Sequence, residues 1–221
     1  MNLEIDQKTL CAAKAMSCDG FAYLWSGVRA TYGASQGRVC YEVQVTNNQP
    51  VDHLENEPNP HVLRVGWSVE NSSLILGTEH LSYGFGGTGK ISTNNKFFNY
   101  GTPYGYGDVI GTYLDMTVDP MIISYTINGK DMGVAFRIPK YETQGQALFP
   151  HVMTKNQDFL VNFGQLPGPM CPLLPNFSPI GQLDLNDGLV RGTRAPKTKK
   201  DCEVIQMVGL PGKAFDKVYS L

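Results

Sequence analysis

A run of glycines ending in lysine, Gly84-Phe85-Gly86-Gly87-Thr88-Gly89-Lys90, is the stretch whose residue types and spacing come nearest to chemistry. It satisfies G-x-G-x-x-G, and it satisfies G-x-x-x-x-G-K up to the position after the lysine. The amides of such a loop cradle phosphate, and a hydroxyl after the lysine holds magnesium. Here Ile91 stands where Ser or Thr would bind the metal. Both patterns also need a helix immediately afterwards, whose N-terminal amides complete the anion site. Ile91-Ser92-Thr93-Asn94-Asn95 is a poor helix start, so the stretch reads as a structural β-loop. A second fragment, Gly209-Leu210-Pro211-Gly212-Lys213-Ala214, follows the apolar Glu203–Val208. Two residues separate its glycines where four are needed, and Ala214 replaces the hydroxyl. Nucleotide hydrolysis is not expected, and no cofactor is implied.

His53, Glu55, Glu57 and His61 lie close together in a Pro-rich acidic loop without a recognised ligand spacing, so solvated loop residues are the better reading than a metal site. No Ser-His-Asp or Cys-His pairing is legible, and no catalytic residue is assigned. His151, after Pro150, reads as a hydrogen-bonded strand-end residue rather than a base.

Aromatic and basic side chains offer recognition instead of catalysis. Tyr100, Tyr104 and Tyr106, with Arg29 and Tyr32, are the usual material of a binding surface when loops on a rigid scaffold expose them. Equally, amphipathic tyrosines cover the open end of a core. Both readings stand on sequence alone. Further on, Arg191, Arg194, Lys197, Lys199 and Lys200 form a basic segment suited to phosphate contacts.

The elements that must position these residues are strands. Asn128-Gly129 between two alternating runs is a hairpin signal, since a type I′ turn needs positive φ at both central residues. A two-residue loop there pairs Ile127 with Lys130, Tyr125 with Met132, Ile123 with Val134 and Met121 with Phe136. Alternation predicts further strands through Val39–Val45, Leu63–Val69, Val109–Met116 and Phe159–Phe163, with Trp67, Tyr125, Met132 and Phe163 inside. Phe21–Trp25 reads as a buried strand, Leu10–Met16 as a short helix or frayed lead-in, and Asn94–Gly107 as an aromatic loop. Gln146–Val152 reads as an edge strand, because Pro150 cannot donate to a ladder.

Composition agrees with an all-β chain. The 221 residues are 42% hydrophobic, with 24 Gly and 14 Pro. A net charge of −2 argues against strong electrostatic attraction to nucleic acid by the whole chain. Five scattered cysteines without C-x-x-C fit reduced thiols in an intracellular protein. No apolar run approaches the roughly 20 residues of a membrane span.

The order of these segments resembles the SPRY domain over about residues 20–165. The resemblance rests on Val65-Gly66-Trp67-Ser68, Tyr83–Lys90, Gly107-Asp108-Val109-Ile110-Gly111, Ile127-Asn128-Gly129-Lys130 with Gly133–Phe136, Leu148–Val152 and Val161-Asn162-Phe163-Gly164. Gly20–Gly27 and Cys202–Gly212 look like the heterogeneous nuclear ribonucleoprotein U and U-like family. In that family an SPRY domain precedes a P-loop NTPase-like domain and an RNA-binding Arg-Gly tail. The resemblance implies an SPRY-type sandwich of two antiparallel sheets with a short irregular C-terminal tail. It divides the chain into a lead-in (1–19), an SPRY domain (20–168), a Pro-rich then basic linker (169–202) and a truncated start of the NTPase-like domain (203–221). It further implies a nuclear, non-enzymatic module that binds protein segments through Arg29, Tyr32, Tyr100, Tyr104 and Tyr106. The alternative is direct RNA or DNA binding through the basic segment. The strand-like Glu203–Val208 is expected to find no partner strand and to remain mobile.

Overall fold

The computed structural model describes residues 3–193 and the backbone of residues 207–208. Its strands, in chain order, are β1 (Leu3–Ile5), β2 (Ala12–Ala15), β3 (Ser26–Ala30), β4 (Tyr32–Ala34), β5 (Arg38–Asn48), β6 (Val62–Val69), β7 (Ser82–Gly86), β8 (Lys90–Thr93) and β9 (Lys96–Asn99). They continue with β10 (Val109–Asp115), β11 (Met121–Ile127), β12 (Lys130–Ile138), β13 (Leu148–Lys155), β14 (Gln157–Asn162), β15 (Ser178–Pro179), β16 (Leu189–Arg191) and β17 (Met207–Val208). Two sheets result. The first runs β1-β2-β14-β5-β10-β11-β12, with β15 added parallel to β5. The second runs β16-β4-β13-β6-β7-β8-β9, with β3 beside β13 and β17 beside β3. Apart from β15 the pairing is antiparallel, as the alternation of the sequence requires.

Aromatic side chains join the two sheets. Tyr41 of β5 crosses the core, donates its hydroxyl to Gly66 O at 2.6 Å and accepts from Gly66 N at 3.0 Å. Its ring meets Trp67 edge-on at 5.1 Å. Phe85 packs against Tyr125, and Tyr83 against Phe136, each pair at 5.1 Å across the sandwich. Trp67, Tyr125 and Phe163 are buried as expected, and Met132 packs partly buried on the core.

Several expectations are corrected. The Asn128-Gly129 turn forms, with Asn128 at φ 52° and Gly129 at φ 78°, and Ile127 faces Lys130. Beyond it β12 carries extra residues, so Ser124 faces Val134, Ile123 faces Phe136 and Met121 faces Ile138. Gly133, at φ 84°, makes room for the bulge. The hairpin, expected from the sequence to be central to one sheet, lies at the margin, where β12 is the last strand among the described residues. Residues 19–23 form a 3₁₀ turn that buries Ala22 and leaves Phe21 and Tyr23 exposed; the strand starts at Ser26. Residues 12–15 are a strand, joined through Ala13 to Phe159, so the lead-in completes the first sheet. Asn94 and Asn95, both at positive φ, turn a β8–β9 hairpin inside the expected aromatic loop.

β13 is interior, with β6 on one side and β3 and β4 on the other. Pro150 is tolerated there because His151 faces Arg29 while Leu148 faces Ala34, and the step between those registers falls at Thr31. Past Gly164 the chain stays packed: Phe177 stacks edge-on to Tyr113, Ile180 is fully buried, and β16 pairs with β4. The stretch read as linker therefore belongs to the sandwich as far as Thr193. Met207 and Val208 pair with Ala30 and Arg29, contrary to the expectation of no partner strand. The remaining residues of that segment lie outside the described ones.

Candidate interaction surface

The residues expected to form one loop surface are not brought together. Arg29 lies in β3, 6% exposed. Its Nε is 2.9 Å from Ser68 Oγ, and its remaining nitrogens donate to the carbonyls of Glu70, Ser72 and Ser73. Beside it, His151 is fully buried in mid-strand rather than at a strand end; Nδ1 is 2.9 Å from Ser68 Oγ and Nε2 is 3.3 Å from Leu74 O. Burial, with Arg29 nearby, drives the His151 pKa well below the usual imidazole value. These side chains fasten residues 70–81 across the outside of the second sheet. A Cβ on Gly27 would overlap Leu74 O, so a glycine is required where that loop crosses β3. Tyr32 is also buried, in β4 opposite Arg191.

Tyr100 and Tyr104 face inward from the far end of the sandwich. The Tyr104 hydroxyl lies 2.7 Å from Phe85 O and 3.0 Å from Leu63 O, and its backbone N–H donates to Gly87 O. Burial pushes its pKa well above the usual phenol value. Tyr100 donates its hydroxyl to Gly133 O, fastening the end of β9 to the β12 bulge. This explains the phosphate-loop look-alike. A Cβ on Gly87 would lie 2.8 Å from Tyr104 O, and one on Gly89 2.7 Å from Gly101 O. The glycines admit carbonyl oxygens of the same chain, and strand β8 follows them where a phosphate loop has a helix.

Tyr106 alone of the five is open, 67% exposed. Its turn is rigidly held. Asp108 Oδ2 accepts from Gly105 N at 2.8 Å, and Oδ1 accepts from Asn128 Nδ2 at 2.8 Å. Asn128 Oδ1 in turn accepts from Val109 N at 2.9 Å. The hairpin turn and the tyrosine turn thus form one hydrogen-bonded knot. Of the basic segment, Arg191 is half-buried in β16; Arg194, Lys197, Lys199 and Lys200 lie outside the described residues.

A second cluster, open to solvent at Phe97, was missed by the sequence reading. The Arg64 guanidinium of β6 sits 5.4 Å from the Trp25 ring and 5.3 Å from the Phe97 ring, and donates Nη1 to Leu76 O at 2.7 Å. Its stem crosses Gly84, where a Cβ would fall 2.7 Å from Arg64 Cδ. Desolvation lowers the guanidinium pKa, and the nearby Tyr104 hydroxyl opposes that shift. Lys155 approaches the same indole at 5.4 Å and pairs with Glu57 at 3.1 Å. The usable signal was Asn94-Asn95, a dipeptide able to turn a hairpin and so place Phe97 beside the β6 arginine. His53 and His61 spend their Nε2 atoms on the carbonyls of Asp19 and Gln49. Among the described residues no three His, Cys, Asp or Glu side chains form a metal-sized group.

Comparison with known proteins matches the SPRY domain family over residues 38–166. Heterogeneous nuclear ribonucleoprotein U-like protein 2 of Mus musculus is 43% identical over 192 residues, covering 87% of this chain and 25% of that protein. The Homo sapiens protein of the same name matches to the same extent. The ATP-dependent RNA helicase DDX1 of Xenopus laevis is 40% identical over 141 residues, 64% of this chain and 17% of the helicase. The chain thus spans about a quarter of the length of the ribonucleoprotein relatives it matches.

Proposed function

The chain belongs to the SPRY domain family, and on that premise we propose that it is a non-catalytic protein-interaction module of a nuclear, RNA-associated protein. Recognition of protein segments is the characteristic work of SPRY domains. One observation carries its assignment to this end of the molecule: Tyr106 is held out on a hydrogen-bonded turn while its neighbours Tyr100 and Tyr104 are anchored inward. A large amphipathic ring on an immobile turn binds a peptide with little ordering cost. Tyr100 and Tyr104 position that turn, and Arg29 and Tyr32 support the scaffold away from it. The ribonucleoprotein and RNA helicase names of the relatives support association with RNA and a nuclear setting. A part in RNA processing or transcription regulation is the finer form of the proposal.

The experiment is capture from nuclear extract by the full chain, set beside Tyr106→Ala and a variant with Arg194, Lys197, Lys199 and Lys200 changed to glutamine. A protein partner lost with Tyr106→Ala, retained by the glutamine variant and little affected by salt is the expected result. Binding that vanishes with the glutamine substitutions and falls steeply as salt rises would replace this function with direct nucleic-acid binding.

A further inference from the structure

β9 ends its sheet among the described residues, and all four of its residues are exposed. Around the two-residue Asn94-Asn95 turn, Thr93 and Lys96 form the first hydrogen-bonded pair. Alternation from that pair turns the N–H and C=O groups of Phe97 and Asn99 away from β8. These groups constitute an open pairing edge. The side chains alternate too. Phe97 lies on the outer face, against Arg64, at 51% exposure. Phe98 is cross-strand to Ile91 and points toward the inner side, at 50% exposure.

The outer face beside this edge carries surplus positive charge. Arg64 is fixed there between two rings, Lys90 is exposed on the same face cross-strand to Asn99, and Lys96 is exposed at the start of the edge strand on the face of Phe98. Among the described residues the ion pairs are Arg38–Asp115 and Lys155–Glu57. The cations at Arg64, Lys90 and Lys96 therefore have no carboxylate partner there. Lysine on an edge strand discourages indiscriminate pairing, since an ordinary strand gains nothing by approaching it. An acidic strand does gain.

We propose that β9 is a docking edge for an extended acidic peptide, which adds to the second sheet as an antiparallel or parallel strand. This surface is separate from the Tyr106 turn, although its use as a protein-binding site rests on the interaction-module reading. The two faces of β9 dictate the sequence pattern of the guest. Residues on its outer face meet Phe97, Arg64 and Lys90, and there Asp or Glu fits. Residues on its inner face meet Phe98, and there Val, Ile or Thr fits. The guest alternates acidic with apolar or β-branched residues. Single-stranded RNA would stack on Phe97 and neutralise the same cations but would leave the strand's amides unused. The open amides favour the peptide.

The test uses the full chain and a fluorescein-labelled peptide alternating Glu with Val and Thr. Controls are a peptide of the same composition with its glutamates clustered, and the alternating peptide N-methylated at its pairing amides. The alternating peptide binds; clustering or N-methylation weakens it about tenfold or more. Lys90→Glu with Lys96→Glu, both at exposed positions, reduces its affinity by a similar factor while leaving the melting temperature unchanged. Equal binding of the clustered peptide, indifference to N-methylation, or preference for oligouridylate over the peptide would each overturn the proposal. Capture through Tyr106 is read in the same Lys90→Glu, Lys96→Glu variant, where it persists. Failure of the edge is thereby distinguished from failure of the interaction module itself.

Discussion

Two arginines on the strands that flank β13 in one sheet have opposite fates. Arg29 of β3 is buried among one hydroxyl and three loop carbonyls. Arg64 of β6 reaches one carbonyl and lies between two aromatic rings, one of them half open to solvent. The first is spent on holding the 70–81 loop to the sheet; the second touches that loop only at Leu76 O and holds a partly exposed charge beside an edge strand. The difference lies in what covers them. Gly27 lets the loop backbone close over Arg29, whereas Gly84 lets the stem of Arg64 lie flat and carry its head group toward β9. An arginine in a strand is thus structural or available according to how many backbone carbonyls can reach it.

The comparison is broken most severely by restoring a side chain under the loop. Gly27→Ala places a methyl into Leu74 O, and we expect a loss of about 3–4 kcal/mol by chemical denaturation. Arg29→Met keeps the stem but strands the carbonyls of Glu70, Ser72 and Ser73 and leaves Ser68 Oγ to His151 alone; the expected loss is about 2–3 kcal/mol. An equal effect from Arg64→Met would erase the distinction. That substitution removes a cation–π contact and one carbonyl bond, and should cost only about 1 kcal/mol.

The clamp also predicts a pH dependence. His151 faces Ser68 Oγ and Leu74 O, with Arg29 and Arg64 as its charged neighbours, and stays neutral when folded. Its folded pKa lies below the unfolded value of 6.5, so the unfolded chain binds the extra proton. Stability is therefore fully present above about pH 6.5 and declines as pH falls below it, by up to about 1.4 kcal/mol per unit. In His151→Asn the slope between about pH 6.5 and 5.5 should disappear, even though the variant is weaker at every pH. At the small end, Tyr106→Ala should move stability by no more than about 0.5 kcal/mol, because the ring is exposed and its turn is held by Asp108 and Asn128. A larger change would mean that Tyr106 is part of the scaffold.

Most of the sandwich was legible because alternation survives in one dimension. Val39–Val45, Leu63–Val69 and Phe159–Phe163 each have one face buried by the facing sheet, and the sequence records that face. The β12 register was not legible: a bulge at Gly133 adds residues without altering the apolar spacing near the turn. Phe21–Trp25 misled for a similar reason, since aromatic residues at alternate positions occur in an exposed 3₁₀ turn as well as in a strand. The candidate site was less legible still. Burial of Arg29, Tyr32 and Tyr104 depends on which loop lies over each, a long-range fact with no local trace. Trp25, Arg64 and Phe97 are widely separated in sequence and meet only through the β6–β7–β8–β9 order.

The most direct measurement is amide hydrogen exchange at Phe97 and Asn99, followed by NMR on the full chain with and without the alternating Glu-Val-Thr peptide. In the free chain both amides should exchange rapidly, while amides in the 70–81 loop such as Gly77, bonded to Ser82 Oγ, exchange slowly. With the peptide bound, Phe97 and Asn99 should slow by about tenfold or more, as new ladder partners form. Protection of both amides in the free chain, or no change in either once the peptide is bound, would contradict the account.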